Sequence, residues 1–279
     1  MLQGQPSRTA LGAATHRAAH QILEHGIIFS DPLALRILGQ DAETVARKAA
    51  ESPSSRRMRI FIAVRTRFAE DALAASVQHG VSQLVVLGAG LDTYAYRTAL
   101  RDRLRIFEVD HPATQAWKRE RLEHAGIPTP DSLTFAPIDF EHETLADGLA
   151  AAGFNRMKQT FFTWLGVTPY LREEAIWSTL EFIAHLPNGA HVVFDYSDPP
   201  SSLPPELKTF HDERSARVAE LGEAWVSYFD AETMRTKLTA LGFFKIEDLG
   251  PSGIAPRYFP GRVPSPGDKG GHVLYAATI

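Results

Sequence analysis

A short apolar stretch followed by two glycines constrains this chain of 279 residues more than any other feature. Residues 84–87 read Leu-Val-Val-Leu, an unbroken apolar run typical of a buried parallel strand. Gly88, Ala89 and Gly90 follow at once, and Asp92-Thr93 stands where a helix should begin. Open α/β sheets bind ligands at the carboxyl ends of such strands, and glycine there permits a tight turn and close approach of a ligand. The stretch therefore predicts a parallel α/β sheet with a cofactor at this turn.

The rest of the chain alternates strand and helix patterns. Further strand patterns occur at 103–110, 133–140, 160–165, 190–195, 243–249 and 272–278. Alternation of this kind predicts a doubly wound, mostly parallel sheet with right-handed crossovers. The last two strands are joined by a Gly/Pro-rich loop without a helical pattern, so we expect an antiparallel pair and a reversed C-terminal strand.

The N-terminal part is helical in pattern. Short helices are predicted within residues 1–55, one of them starting at Asp31-Pro32 with the aspartate as cap, and a longer one over 56–79. We predict a single domain over 1–279. Residues 1–80 would form a helical N-terminal cap and lead-in helix, and 81–279 an α/β core with a lid insertion near 197–227.

Composition excludes several classes of partner and site. The formal net charge is −4, so no basic field points to nucleic acid. There is no apolar run long enough to span a membrane, and no signal-peptide pattern, which makes a cytoplasmic location the expectation. Cysteine is absent, which excludes thiol nucleophiles and disulfides.

Asp110 sharpens the identity of the cofactor. It ends the second predicted strand, 20 residues beyond Gly90, where a carboxylate can accept hydrogen bonds from both hydroxyls of a ribose. The third glycine of the dinucleotide fingerprint is replaced by Thr93, so a close pyrophosphate cradle is missing. Both features favour S-adenosylmethionine over a dinucleotide. The alternative is that Asp110 only caps the helix that opens at Pro112.

Three further residues are candidates for the same cofactor. Asp139 and Phe140, at the end of the third predicted strand, could bind and stack on an adenine, or Asp139 could cap the next helix. Arg65 could clamp the methionine carboxylate through its planar guanidinium, or it could be an ordinary exposed arginine.

These residues belong to a set of motifs that resembles the leucine carboxyl methyltransferase superfamily, and within it the bacterial S-adenosyl-L-methionine-dependent methyltransferase branch. The resemblance covers nearly the whole chain. The motifs that carry it are Arg17-Ala18, Asp31-Pro32-Leu33-Ala34, Arg65-Thr66-Arg67, LGAGLDTYAYR at 87–97, FEVDHP at 107–112, Asp139-Phe140 and WLGVTPYL at 164–171. The resemblance implies a class I methyltransferase (Rossmann-like) fold with a seven-stranded, mostly parallel sheet.

The resemblance also implies roles for single residues. Gly88 and Gly90 would line the methionine moiety, Asp110 would bind the ribose, Asp139 and Phe140 the adenine, and Arg65 the carboxylate. The protein-phosphatase branch ends its fourth strand with a glutamate, where this chain has Leu165. Backbone carbonyls around Thr163 and Trp164 would then receive the amino group, and the phosphatase substrate does not carry over.

The predicted reaction is methyl transfer from the sulfonium to an oxygen of a small molecule. In-line displacement requires a closely held acceptor and a site from which water is excluded. A carboxylate acceptor needs no general base, whereas a hydroxyl acceptor does. The candidates are Tyr170, Asp198 and His111, which could instead only pack, start a turn and open a helix.

Several alternatives stay open. A nicotinamide-dependent oxidoreductase would use the same glycine turn, and a non-catalytic S-adenosylmethionine-binding protein could keep every cofactor residue. No metal is expected, and we interpret His16, His20 and His25 as a solvated helix face. The sequence leaves the acceptor and the oligomeric state open.

Overall fold

The computed structural model describes residues 7–50, 53–140, 142–259 and 269–279, with only the backbone described for 53–55. The strands are β1 (Gln83–Leu87), β2 (Arg105–Asp110), β3 (Leu133–Pro137), β4 (Thr160–Trp164), β5 (Ala190–Ser197), β6 (Lys245–Leu249) and β7 (Gly271–Ala277). They form one seven-stranded sheet in the order β3-β2-β1-β4-β5-β7-β6.

The α-helices of the described residues are α1 (Arg8–Leu23), α2 (Ala34–Leu38), α3 (Ala42–Ala50), α4 (Pro53–Gln78), α5 (Tyr94–Arg97), α6 (Pro112–His124), α7 (Leu145–Ala151), α8 (Glu173–Ala184), α9 (Pro205–Glu220), α10 (Ala231–Ala240) and α11 (Pro251–Tyr258). Two 3-10 turns lie at Thr168–Tyr170 and Pro200–Ser202. None of the helices in the described ranges is long and apolar enough to cross a membrane.

The strand directions confirm the predicted architecture. β2 is parallel to β1 and to β3, and β4 is parallel to β5. β7 is antiparallel to both β5 and β6. The sheet is therefore mostly parallel with a reversed C-terminal strand.

The chain divides into two compact units, residues 1–155 and 156–279. In the first unit, small side chains let the N-terminal helices approach closely, and larger aliphatic ones fill the remaining space. This core contains Ala14, Ala18, Ala19, Ala34, Ile37, Leu38, Val45, Ala49, Leu91, Leu122 and Ile127. The predicted division into a cap and a core within a single domain stays a prediction.

The second unit contains β4–β7 and is packed largely through aromatic side chains. Phe161 stacks on His191, with ring centroids 5.9 Å apart, and lies 6.5 Å from Tyr275. Trp164 packs against Phe194 at 6.4 Å. All five side chains are buried, so aromatic rings form the interior of this part of the sheet.

Three details of the predicted elements differ from the structure: where one strand ends, where one helix begins, and a helix that was not predicted. β3 ends at Pro137 rather than Phe140, because β3 is an edge strand and proline cannot donate a ladder hydrogen bond. The connection between the last two strands contains α11, whose pattern is obscured by Pro251 at its start and Pro256 inside it. α2 begins at Ala34 rather than directly after Asp31, although Oδ1 of Asp31 accepts a hydrogen bond from the Leu33 amide at 3.1 Å, as a capping residue does.

Candidate cofactor site

The loop after β1 is a tight turn made of left-handed glycines. Gly88 has φ 65° and Gly90 φ 45°, a region that side chains with a Cβ rarely adopt. The Ala89 amide donates to the Val109 carbonyl at 3.0 Å, which keeps the turn beside β2. A Cβ on Gly90 would lie 2.9 Å from the Cβ of Ala10 in α1. Gly90 is therefore required both for its backbone angle and for the close approach of α1.

Asp110, the last residue of β2, is hydrogen-bonded to this turn. Its Oδ2 accepts a hydrogen bond from the Gly90 amide at 2.6 Å, and its Oδ1 accepts one from the His111 amide at 2.7 Å. Burial raises the pKa of Asp110, and the two backbone hydrogen bonds oppose that rise. An ionised carboxylate offers about four acceptor positions, so two amides leave capacity for ligand hydroxyls.

His111, rather than Asp110, caps the following helix. The N-cap of α6 is His111, whose Nδ1 accepts a hydrogen bond from the Ala113 amide at 3.2 Å. The capping alternative for Asp110 is thereby disfavoured. The same hydrogen bond commits one imidazole nitrogen of His111 to a structural role, in line with the alternative that it only opens a helix.

Asp139 and Phe140 lie in the loop that follows β3, beside Asp110. The Ile138 amide donates to the Asp110 carbonyl at 2.9 Å, which joins the start of this loop to the end of β2. The Asp139 carbonyl accepts from the amides of His142 and Glu143. The Phe140 side chain is 60% exposed, so its ring is accessible to a planar ligand. Their predicted contacts with an adenine stay predictions.

Arg65 is a buried residue of α4, and the alternative of an ordinary exposed arginine was wrong. Its guanidinium carbon lies 5.9 Å from the centroid of the Phe61 ring. A buried guanidinium is an unusual use of an arginine, because the charge must be compensated. Its assignment to the methionine carboxylate stays a prediction.

A buried network that the sequence patterns did not reveal fixes the far side of the turn. Oδ2 of Asp31 accepts hydrogen bonds from the Thr93 hydroxyl at 2.8 Å and from Nε of Arg17 at 3.3 Å. Arg17 also donates to the Leu91 carbonyl. Thr93 thus fills the place of the third fingerprint glycine with a buried, bonded side chain. Arg17 and Asp31 stand in the resembling motifs, but no local periodicity links residues so far apart in sequence.

A second feature that the sequence patterns missed is a buried ion pair next to Asp110. Oε2 of Glu108 lies 2.7 Å from Nζ of Lys118, and both side chains are buried. Burial raises the pKa of Glu108 to about 7, although Lys118 opposes that rise. The ammonium also lies 5.5 Å from the centroid of the Tyr96 ring. A glutamate inside an otherwise apolar strand was the available signal.

In the second unit, Thr163 and Trp164 end β4 and lead into a firmly held loop. The Gly166 amide donates to Oδ1 of Asp195 at 2.6 Å, and the Thr168 hydroxyl donates to the Asp195 carbonyl. Asp195, a buried residue of β5 that the sequence did not single out, therefore shapes the loop. The predicted backbone contacts of Thr163 and Trp164 with the cofactor stay predictions.

Asp198 is committed to a buried ion cluster, which disfavours it as a general base. Its Oδ2 accepts hydrogen bonds from Nε2 of His272 at 3.2 Å and from the Gly270 amide at 3.0 Å. Nζ of Lys269 lies 3.4 Å from its Oδ1. Burial opposes ionisation, but these partners prevail and lower the pKa of Asp198.

Tyr170, in the first 3-10 turn, has its ring 6.5 Å from that of Trp225. This contact agrees with the alternative that Tyr170 only packs.

The histidines of α1 do not all lie on a solvated face. His20 is fully buried, with Nδ1 3.3 Å from Glu24, and burial lowers its pKa. The interpretation was therefore wrong for His20, because α1 packs against the other N-terminal helices on that side. Within the described ranges, no three His, Cys, Asp or Glu side chains are grouped to hold a metal ion.

A family model described as leucine carboxyl methyltransferase matches residues 10–184. The chain belongs to the leucine carboxyl methyltransferase family. It is 30% identical over 287 residues to "Putative S-adenosyl-L-methionine-dependent methyltransferase YktD" of Bacillus subtilis, with 94% of each chain covered. A second relative, with the same description and the designation FRAAL3718, comes from Frankia alni; it is 33% identical over 184 residues, with 64% of each chain covered.

Solved structures support the class I methyltransferase fold. A protein of the duf574 family from Streptomyces avermitilis superposes with a TM-score of 0.56 at 13% identity, covering 94% of this chain and 96% of the other. The CurJ carbon methyltransferase gives 0.50 at 15% identity, covering 97% of this chain and 67% of the other. Family and fold together make this chain an S-adenosylmethionine-dependent methyltransferase.

The residues of the first unit fit that cofactor. A left-handed glycine turn lets a ligand approach the backbone, Asp110 offers acceptors for hydroxyl groups, and Phe140 offers an exposed aromatic face. These groups of the first unit suit the adenosine part of the cofactor.

Proposed function

We propose that this methyltransferase transfers the methyl group of S-adenosylmethionine to an oxygen atom of a small molecule, on a carboxylate or a hydroxyl group. The observation that best supports this proposal is the contact between the glycine turn and Asp110, with the Gly90 amide 2.6 Å from the carboxylate. It occurs in a chain whose residues 10–184 match a family described by carboxyl methylation. The net charge of −4 speaks against a nucleic-acid acceptor.

Different residues would bind different parts of S-adenosylmethionine. Asp110 would accept the ribose hydroxyls, Asp139 and Phe140 would hold the adenine, and Arg65 would pair with the carboxylate. Carbonyls at Thr163 and Trp164 would receive the amino group. The bound cofactor would supply a methyl group on a sulfonium, and attack of an oxygen nucleophile on that methyl carbon would release the neutral thioether without a metal. A cytoplasmic location stays a prediction.

Tritium-labelled S-adenosylmethionine and a dialysable extract of bacterial cells test this proposal. We expect label in dialysable products, and hydrolysis in mild base separates methyl esters, which release labelled methanol, from methyl ethers, which do not. Label found only in macromolecules, or on nitrogen, carbon or sulfur, would contradict the proposal. Calorimetric titration with NAD serves as a control, for which we expect no binding.

A further inference from the structure

Four rings gather in the second unit, beyond the carboxyl ends of β4 and β5. They are Tyr170 in the 3-10 turn after β4, His211 on α9, and Trp225 and Tyr228 in the segment that follows α9, and we call them the His211 cluster. The ring of His211 lies 5.5 Å from that of Trp225 and 5.4 Å from that of Tyr228. All four side chains are only partly buried, so a ligand can contact them.

Hydrogen bonds to backbone carbonyls hold the cluster at this edge of the sheet. The Val226 amide donates to the Pro169 carbonyl at 2.7 Å, and the Phe229 amide donates to the Ser197 carbonyl at 3.0 Å. The Ser227 hydroxyl donates to the Leu171 carbonyl. The cluster is therefore fixed beside the ends of two parallel strands, which is where α/β sheets bind ligands.

A hydrogen-bonded chain within the cluster sets the tautomer of His211. Nδ1 lies 3.1 Å from Oδ1 of Asp212, and Nε2 lies 3.0 Å from the Tyr228 hydroxyl. An ionised carboxylate only accepts, so Nδ1 must carry the hydrogen, and in the neutral imidazole Nε2 is then an acceptor. Nε2, oriented by Asp212, therefore accepts a hydrogen bond from the Tyr228 hydroxyl.

The Tyr228 hydroxyl can be displaced from Nε2 without losing every partner. A hydrogen bond with Ser215 acts on it as well. Nε2 therefore differs from the ring nitrogens of His272, each of which lies against an aspartate. The other charged groups around His211 are Lys208, 2.5 Å from Oδ2 of Asp212, and Arg214, 5.9 Å from the Trp225 ring.

We propose that the His211 cluster binds the methyl acceptor, a planar aromatic compound with a phenolic hydroxyl, and that Nε2 of His211 removes the hydroxyl proton. This inference rests on the proposed oxygen methylation and narrows it to a hydroxyl. The rings of Tyr170, Trp225 and Tyr228 supply faces for an aromatic acceptor. The acceptor hydroxyl replaces that of Tyr228 at Nε2.

The proposed methyl transfer needs only the acceptor, the cofactor and His211. The phenol oxygen forms a bond to the methyl carbon while the carbon–sulfur bond breaks, and sulfur keeps that electron pair and becomes a neutral thioether. The hydroxyl proton moves to Nε2 of His211, which becomes a cation beside Asp212. Solvent takes the proton after the ether leaves. No oxidant or metal is needed.

A matched pair of ring compounds tests the acceptor class. The pair is 2-naphthol, with a phenolic hydroxyl, and 2-naphthoate, with a carboxylate on the same ring system. We expect 2-naphthol to shift the imidazole proton signal of His211 in NMR spectra recorded without S-adenosylmethionine, and 2-naphthoate to leave it in place. With S-adenosylmethionine we expect a methyl ether of 2-naphthol.

Variants of His211 and its two hydrogen-bond partners test whether His211 accepts a proton or only packs. His211→Gln keeps the volume but cannot take a proton, so kcat for 2-naphthol should fall about a hundredfold or more while KM changes little. Tyr228→Phe keeps the ring and removes the competing hydroxyl, so it should bind 2-naphthol at least as tightly. Asp212→Asn, a change at a positioning residue, should lower kcat by about tenfold.

Three results would overturn the inference. They are methylation of 2-naphthoate but not 2-naphthol, an unchanged kcat in His211→Gln, and no shift of the His211 signal by 2-naphthol. Binding of S-adenosylhomocysteine, measured on the same samples, reports on the cofactor site alone. If it binds and labelled methyl esters form in the cell extract, the proposed function stands and only this inference fails.

Discussion

Two buried aspartates lie at the carboxyl ends of strands, and they differ in what surrounds them. Asp110 ends β2 in the first unit and is held by the amides of Gly90 and His111. Asp198 follows β5 in the second unit and is held by His272 and Lys269 as well as an amide. Burial raises the pKa of Asp110, whereas the cationic partners lower the pKa of Asp198 despite its burial.

The difference indicates which carboxylate can serve a ligand. Backbone amides fix the position of Asp110 without neutralising its charge, so further donors still gain strong hydrogen bonds from it. Asp198 already has cations close by, and His272 is held in turn by Asp248 at 3.0 Å. We therefore assign Asp110 to binding and the Asp198 cluster to stability. Position at the end of a strand does not distinguish them.

Breaking the Asp198 cluster should have the largest effect on stability. Asp198→Asn leaves the buried His272 cation with less compensation, and we expect a loss of about 3–5 kcal/mol in the free energy of unfolding. Affinity for S-adenosylhomocysteine should stay the same. Denaturant unfolding and calorimetry measure the two quantities. The control is Asp71→Asn, which breaks only an exposed ion pair with Arg67 and should cost less than about 0.5 kcal/mol, without a change in cofactor affinity. Weaker cofactor binding without a loss of stability would reverse the assignment.

The same cluster should make stability depend on pH in a defined window. Burial alone would lower the pKa of His272, but its hydrogen bonds with Asp198 and Asp248 raise it to about 9, from an ordinary 6.5. Because the folded state holds this proton more tightly, the stabilisation is complete below about pH 6.5 and is lost as pH rises through about 9. The loss amounts to about 3 kcal/mol.

His272→Gln should flatten that pH dependence, as measured by denaturant unfolding between about pH 6 and 10. His185→Gln, at an exposed helix end of the same unit, is the matched control and should leave the curve unchanged. A slope that survives in His272→Gln would mean that another group titrates in this window.

A smaller loss of stability is expected at the glycine turn, and it should still exceed the loss at an ordinary left-handed glycine. Gly90→Ala places a Cβ 2.9 Å from Ala10, whereas Gly126, with φ 62°, has open space around it. We expect Gly126→Ala to cost about 1 kcal/mol for its backbone angle alone. Gly90→Ala should cost about 2 kcal/mol or more, because α1 must also shift. Cofactor affinity should fall in Gly90→Ala only, and equal effects in both variants would show that the turn has no special packing.

The sequence predicted the sheet well because strands and turns are local patterns. The apolar run at 84–87 and the two glycines placed β1 and its turn within one residue, and His111-Pro112 marked the start of α6. The end of β3 was less predictable, since an edge strand ends where its neighbour stops pairing, and Pro137 carries that information only when the strand order is known.

Long-range contacts were the part that the sequence could not provide. Arg17, Asp31 and Thr93 lie far apart in sequence, and no periodicity indicates that they bond. The chain His211–Tyr228 likewise links a helix to the segment after it. His20 was interpreted as part of a solvated helix face, and exposure was the alternative for Arg65, because a polar residue on a helix is usually exposed. The packing of α1 and α4 cannot be deduced from one pattern.

Titration of S-adenosylhomocysteine into the wild-type protein and Asp110→Asn, followed by calorimetry, tests the central claim most directly. Loss of charged hydrogen bonds to a ligand should weaken binding by about ten- to a hundredfold in Asp110→Asn. Asp198→Asn should bind like the wild type. Equal affinity of the wild type and Asp110→Asn would contradict the assignment of Asp110 to the cofactor.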